Sequence, residues 1–166
     1  MTGAMGKTRA AKIAVAGLMA LALGVPMAAA AELSRDEYVA RVEPICKANT
    51  EANKRIFRGA ESEVKAGEFA KASTHFKRAV IAFERTIKLL KGVPQPAEDE
   101  ARLSKWIGYL EAESSLLGKI GKALAGGDKY KAQNYSVRLN RNSNLANNTV
   151  LGFGFDYCRI DPSRFS

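Results

Sequence analysis

The residues of this chain that could support chemistry are two cysteines, one histidine, and scattered carboxylates and basic side chains. Cys46 and Cys158 lie far apart, whereas dithiol redox chemistry would need a Cys-x-x-Cys pair. His75 has Ala72 three positions before it, so the Glu-x-x-His pair of a di-iron bundle is absent. One histidine and two distant cysteines are also too dispersed for a zinc site. The sequence therefore predicts no metal or other cofactor.

The carboxylates and serines form no catalytic pattern either. Glu111 and Glu113 are two positions apart and therefore cannot share one helix face. The run Glu98, Asp99 and Glu100 is typical of a solvated helix start, where negative charge meets the positive end of the helix dipole. No Gly-x-Ser-x-Gly elbow occurs. We predict that the protein is not an enzyme, and an enzyme with an unrecognised site is the alternative.

Basic side chains give the one positive indication of a ligand. Residues seven positions apart return to nearly the same side of a helix every two turns, which predicts a basic stripe. Its members are Lys71, Arg78 and Arg85, with Lys88 beside them. Such a stripe would bind an anionic envelope polymer or an acidic lipid, and the alternative is an ordinary solvated helix face. Nucleic acid is not expected, because no DNA- or RNA-binding motif occurs.

Residues 1–31 have the three parts of a secretory signal peptide. Three basic residues precede an uncharged apolar run over 13–25, and Ala29 and Ala31 form an Ala-x-Ala cleavage site. The apolar run is shorter than the roughly 20 residues of a spanning helix, which favours cleavage over a membrane anchor. We expect a mature chain in the periplasm, the extracellular space or the cell envelope, without a transmembrane anchor.

The net charge stays positive after the predicted signal. The chain has 26 Lys and Arg against 17 Asp and Glu, for a formal net charge of +9. Three of the basic residues belong to the signal, which leaves 23 against 17. An excess of this size favours anionic partners, although it also serves solubility.

Four amphipathic segments follow the predicted signal. A capping box of Ser34 and Glu37 begins the first, which is predicted to reach about residue 66, with a kink or a new segment near Val42 because of Pro44. The second and third carry apolar seams at alternating steps of four and three. These seams are Phe69, Ser73, Phe76, Val80, Phe83, Ile87 and Leu90, and then Leu103, Ile107, Leu110, Ser114, Leu117, Gly121 and Leu124. The fourth, over 129–151, is weaker because it is rich in asparagine, a poor helix former.

Short connections between these segments predict an all-α, up-down-up-down four-helix bundle over residues 32–158. In that arrangement the end of the fourth helix returns to the start of the first, where Cys46 lies. An exported chain favours oxidised cysteines, so we predict that a Cys46–Cys158 disulfide closes the bundle, with two buried thiols as the alternative. Residues 159–166 are predicted to form a frayed tail.

Two segments carry a resemblance at the level of the whole layout. They are YVARVEPIC, from Tyr38 to Cys46, and GFGFDYC, from Gly152 to Cys158. Together with the signal peptide, they make the chain similar to small secreted helical bacterial proteins with one early and one late cysteine. The resemblance implies the bundle and the disulfide, and no activity or site residue. We expect an exported binding or structural protein whose partner is an anionic envelope component or another protein.

Overall fold

A computed structural model describes residues 33–160, and these residues form helices and loops without a strand. The five α-helices are α1 (Arg35–Ile56), α2 (Ala60–Lys65), α3 (Phe69–Lys91), α4 (Glu100–Ala125) and α5 (Lys129–Thr149). Two short 3₁₀ helices cover Ala97–Asp99 and Leu151–Phe153. The all-α prediction is confirmed, while the predicted signal peptide and residues 161–166 lie outside the described residues.

Within residues 33–160, no helix has the length and apolar character that crossing a membrane requires.

The first predicted helix consists of two helices in the structure. α1 begins at the predicted capping box, in which the Ser34 hydroxyl accepts from the Glu37 amide and the Glu37 carboxylate accepts from the Ser34 amide. The helix is continuous through Pro44 and ends at Ile56. Gly59 then has a φ of +88°, a conformation that glycine adopts without steric cost and that interrupts a right-handed helix. The prediction of one helix to about residue 66 was therefore wrong.

The seams of α3 and α4 form the centre of the core, because these two helices pack on each other along most of their length. All seven predicted seam residues of α4 are buried, and so are Trp106 and Ile120. A Cβ added at Gly121 would lie 2.9 Å from the Cβ of Phe76, so glycine is needed where the two helices approach. α1 packs mainly on α3 and α5 mainly on α4, while α1 and α5 do not share a close interface.

Residues 150–160, which follow α5 and are called the C-terminal segment below, lie against α1 and α4. Phe155 packs on Trp106 and on Phe153, with ring centroids 5.5 and 5.3 Å apart. The predicted Cys46–Cys158 disulfide is confirmed. The side chain of Asn147 pairs with both backbone groups of Ile160 at 2.7 Å.

Glu43 in α1 also holds this segment, through its carboxylate. It accepts hydrogen bonds from the backbone amides of Asp156, Tyr157 and Cys158 at 3.0–3.2 Å. The disulfide therefore lies beside a set of hydrogen bonds that hold the same segment on α1.

Replacing both cysteines by alanine should lower the free energy of unfolding by about 2–4 kcal/mol, because the disulfide closes a long loop in the unfolded chain. Urea unfolding of protein made in an oxidising compartment would measure this change. Non-reducing peptide mass spectrometry should detect the crosslinked Cys46 and Cys158 peptides. Free thiols at both positions, or equal stability of the two proteins, would contradict the prediction.

Asp99 differs from the solvated helix start that the sequence predicts, because its side chain is buried, with 1% of the residue exposed. The 3₁₀ turn before α4 directs the carboxylate towards Arg35 at the start of α1. The guanidinium donates from Nε to Oδ2 at 2.7 Å and from Nη2 to Oδ1 at 2.9 Å. The hydrogen bond to Asp99 raises the pKa of Arg35 above its ordinary value. The expectation was wrong for Asp99, whereas its neighbours Glu98 and Glu100 are exposed.

The Arg35–Asp99 pair gives a second prediction, in which Asp99→Asn should lower the melting temperature by several degrees. Asparagine has nearly the same size, but it cannot accept two charge-assisted hydrogen bonds from the guanidinium. Glu98→Gln is the matched control, because Glu98 is exposed and lies 3.8 Å from Arg35. Thermal unfolding followed by circular dichroism would compare the two variants, and equal shifts would show that the burial of Asp99 does not strengthen its pair with Arg35.

Candidate functional site

The residues of the predicted basic stripe all lie on α3 with exposed side chains, but their charges are not equivalent. The Lys71 ammonium contacts Glu68 at 3.0 Å and Glu63 at 3.3 Å. These hydrogen bonds raise the pKa of Lys71, and the one to Glu68 has the larger effect. Its positive charge is therefore balanced by two carboxylates.

The other three members of the stripe differ from Lys71 because no carboxylate of the described residues neutralises them. Arg78, Arg85 and Lys88 form no ion pair among residues 33–160. Ile81 lies one turn from Arg78 and one turn from Arg85, and it is 54% exposed, while Leu89 is 59% exposed. We call these five residues the α3 face. The sequence interpretation missed its two aliphatic members, although both fall outside the apolar seam of α3.

A second candidate site is a cavity of about 40 Å³ beneath the C-terminal segment. Side chains of α1, α3 and α4 line it, together with the Cys46–Cys158 disulfide. Its polar lining is Asn49, Thr50, Asn53, Thr86, Trp106, Glu113, Tyr157 and Arg159. Among the described residues, Asn49 Oδ1, Asn53 Oδ1 and Trp106 Nε1 are buried without a hydrogen-bond partner. Donors and acceptors facing a space of this size suit one to about three ordered waters.

Glu113 is the buried charged group of this cavity, with only 1% of the residue exposed. The Ser143 hydroxyl donates to Oε2 at 3.1 Å, and Asn142 is a second hydrogen-bond partner. Burial raises the pKa of Glu113 to about 8, against the lowering effect of these two hydrogen bonds. The carboxyl group is therefore mostly protonated at neutral pH.

The sequence contained a signal for this burial. Position 113 follows Leu110 by three and precedes Leu117 by four, so it falls on the buried side of α4. The comparison with Glu111 established only that the two carboxylates are on different faces, and Glu111 is indeed on the surface, beside Lys91. The signal in the sequence was a glutamate, Glu113, at a position of α4 that the apolar pattern assigns to the core.

Glu113→Gln should flatten the dependence of stability on pH. Below about pH 4.5 both the folded and the unfolded chain hold the proton, so the folded state has no ionisation cost. Between that value and about 8, the unfolded chain ionises while the folded chain stays protonated, and stability falls. Glutamine removes this titration and should be more stable than the native residue at about pH 8.

Urea unfolding at several pH values would measure the effect of Glu113→Gln. Glu111→Gln is the matched control, because it removes an exposed carboxylate two positions away and should leave the slope unchanged. A Glu113→Gln variant with the same slope as the original protein would contradict a protonated buried carboxyl group.

His75 connects three helices. Its Nδ1 faces the backbone carbonyl oxygen of Ile56 at the end of α1, and its Nε2 lies 2.9 Å from Oε2 of Glu63 in α2. Lys71 contacts the other oxygen of Glu63. Across residues 33–160, no three histidine, cysteine or acidic side chains form a group that could hold a metal ion. The contacts of His75 indicate that it positions α2 on α3.

The chain was also compared with known proteins. No protein-family model matches it, and neither a curated protein nor a solved structure shows significant similarity to it.

Proposed function

We propose that this protein is an exported, non-enzymatic helical protein of the cell envelope, whose α3 face binds an anionic envelope component. The observation that carries the proposal is the combination of three unpaired cations, Arg78, Arg85 and Lys88, with two exposed aliphatic side chains on one helix face. Cations that are not neutralised by neighbouring carboxylates attract an anionic surface. Lys71, which the stripe includes, contributes less because Glu63 and Glu68 already surround it.

The proposed form of the protein is the up-down-up-down bundle, with the signal peptide removed. Three contacts support this arrangement of the long helices. Phe57, just after α1, packs on Phe76 near the start of α3, which in turn lies against Gly121 near the end of α4. Lys91, at the end of α3, pairs with Glu111 in the first half of α4. The disulfide fits an oxidising compartment, which supports export.

Acidic lipid headgroups are the anionic component that we favour. Ile81 and Leu89 would insert between the headgroups, while the cations would contact lipid phosphates. An anionic polymer would need the cations alone. The two exposed aliphatic residues therefore favour a lipid surface over a polymer.

A non-enzymatic role fits the environment of Glu113. An enzyme would need this carboxyl group to reach a substrate, but its cavity measures about 40 Å³ and lies beneath the C-terminal segment. A water molecule fits such a space, and a typical small-molecule substrate needs several times more.

Reversing the charges of Arg78, Arg85 and Lys88 to glutamate should weaken binding to phosphatidylglycerol vesicles by at least about tenfold, because each surface cation contributes roughly 1 kcal/mol. The matched control reverses Lys105, Lys119 and Lys122, which are exposed on α4 and give the same net charge. Vesicle co-sedimentation would measure both variants and the original protein, and binding should fall as salt is added.

A second pair of substitutions separates the two anionic components. Ile81→Ser with Leu89→Ser should weaken binding to vesicles and leave binding to a purified anionic polymer unchanged. Equal effects of the two charge reversals, or vesicle binding that is insensitive to salt, would refute electrostatic binding by the α3 face. Loss of polymer binding alone would refute the choice of lipid.

A further inference from the structure

A groove with a volume of about 590 Å³ lies between α2 and α5, on a part of the molecule that the α3 face does not include. It exists because α1 and α5 do not pack closely, and the C-terminal segment covers α1 near Cys46 rather than near its other end. Phe57, immediately after α1, lines the groove at that other end. We call this feature the α2–α5 groove.

The deep surface of the α2–α5 groove is apolar. Phe76, Ile120 and Leu124 contribute side chains from α3 and α4, while Val64 and Ala132 belong to α2 and α5 on either side. The volume lies within the range of about 300–1,000 Å³ that is usual for small-molecule sites. Such a lining suits a hydrocarbon chain rather than a polar ligand.

The mouth of the groove has one positive charge that is not neutralised. Glu61 and Lys129 are the charged residues of its lining. Glu61 is engaged by Lys65, whose ammonium lies 2.5 Å from Oε1 and whose hydrogen bond lowers the pKa of Glu61. Lys129, the first residue of α5, forms no ion pair with any described residue. The mouth therefore complements an anionic group.

α2 forms one wall of the groove. It has six residues, and it lies between Gly59 and Gly67, whose φ values of +88° and +76° favour glycine. The contacts of Glu63 with His75 and Lys71 hold it on α3.

We propose that the α2–α5 groove binds a single-chain anionic amphiphile such as a long-chain fatty acid. The hydrocarbon chain lies on Phe76, Ile120 and Leu124, and the carboxylate is paired with Lys129. This site is separate from the α3 face, so either one can fail while the other stands.

Palmitate is the probe, and isothermal titration calorimetry with the full mature chain is the measurement. We expect saturable binding of one palmitate below its micellar concentration. Lys129→Glu should weaken that binding by about tenfold or more, since the charge-assisted contact is replaced by repulsion. The same variant should bind dodecyltrimethylammonium more tightly than the original protein does. Lys131→Glu is the matched control, because Lys131 is exposed on the same helix turn and does not line the groove.

Several outcomes would overturn the proposal. These are no saturable binding of palmitate, equal losses in Lys129→Glu and Lys131→Glu, or equal affinity for palmitate and its uncharged methyl ester. A protein that sediments as a dimer, and loses the dimer when Gln133→Trp narrows the mouth, would assign the groove to a second copy instead. Circular dichroism checks that each variant is folded, and the α3-face variant should retain palmitate binding.

Discussion

The attachment of α1 to the rest of the molecule is the constraint on which the other features depend. α1 packs on α3 along one side but has no close interface with α5 on the other. The C-terminal segment substitutes for that interface through the disulfide to Cys46 and the hydrogen bonds of its amides to Glu43. At the start of the helix, Arg35 pairs with the buried carboxylate of Asp99 and lies over the ring of Phe153. The polar cavity beneath this segment and the groove beyond it both follow from the same gap.

Charge pairing divides the surface into neutralised and available regions. Lys71, Lys65 and Lys91 each contact a carboxylate, whereas the cations of the α3 face and Lys129 contact none among the described residues. Among the described residues, Glu113 is the only carboxylate that lies wholly in the core without an ion-pair partner. Burial keeps it protonated. A net positive charge on the chain therefore says less about binding than the position of the cations that lack partners.

The sequence allowed much of the helical structure to be predicted and little of the candidate sites. The seams of α3 and α4 were read correctly, because apolar periodicity reports which side of a helix is buried. The separation of α1 and α2 was missed, since Gly59 lies within a sequence that otherwise continues a helix. Asp99 was assigned to solvent, because a local pattern cannot show that Arg35, 64 positions earlier, is its partner.

By itself, the sequence determined the long helices α3 and α4, the capping box at Ser34 and the pairing of Cys46 with Cys158. Periodicity and capping follow from residues close together in the chain, and export favours the oxidised cysteine pair. Only the tertiary structure decided that Glu113 faces a polar cavity, that Lys71 is neutralised and that a groove remains between α2 and α5. These properties depend on distances between side chains from different helices, and such distances are set by how the helices pack rather than by the spacing of residues within any one of them.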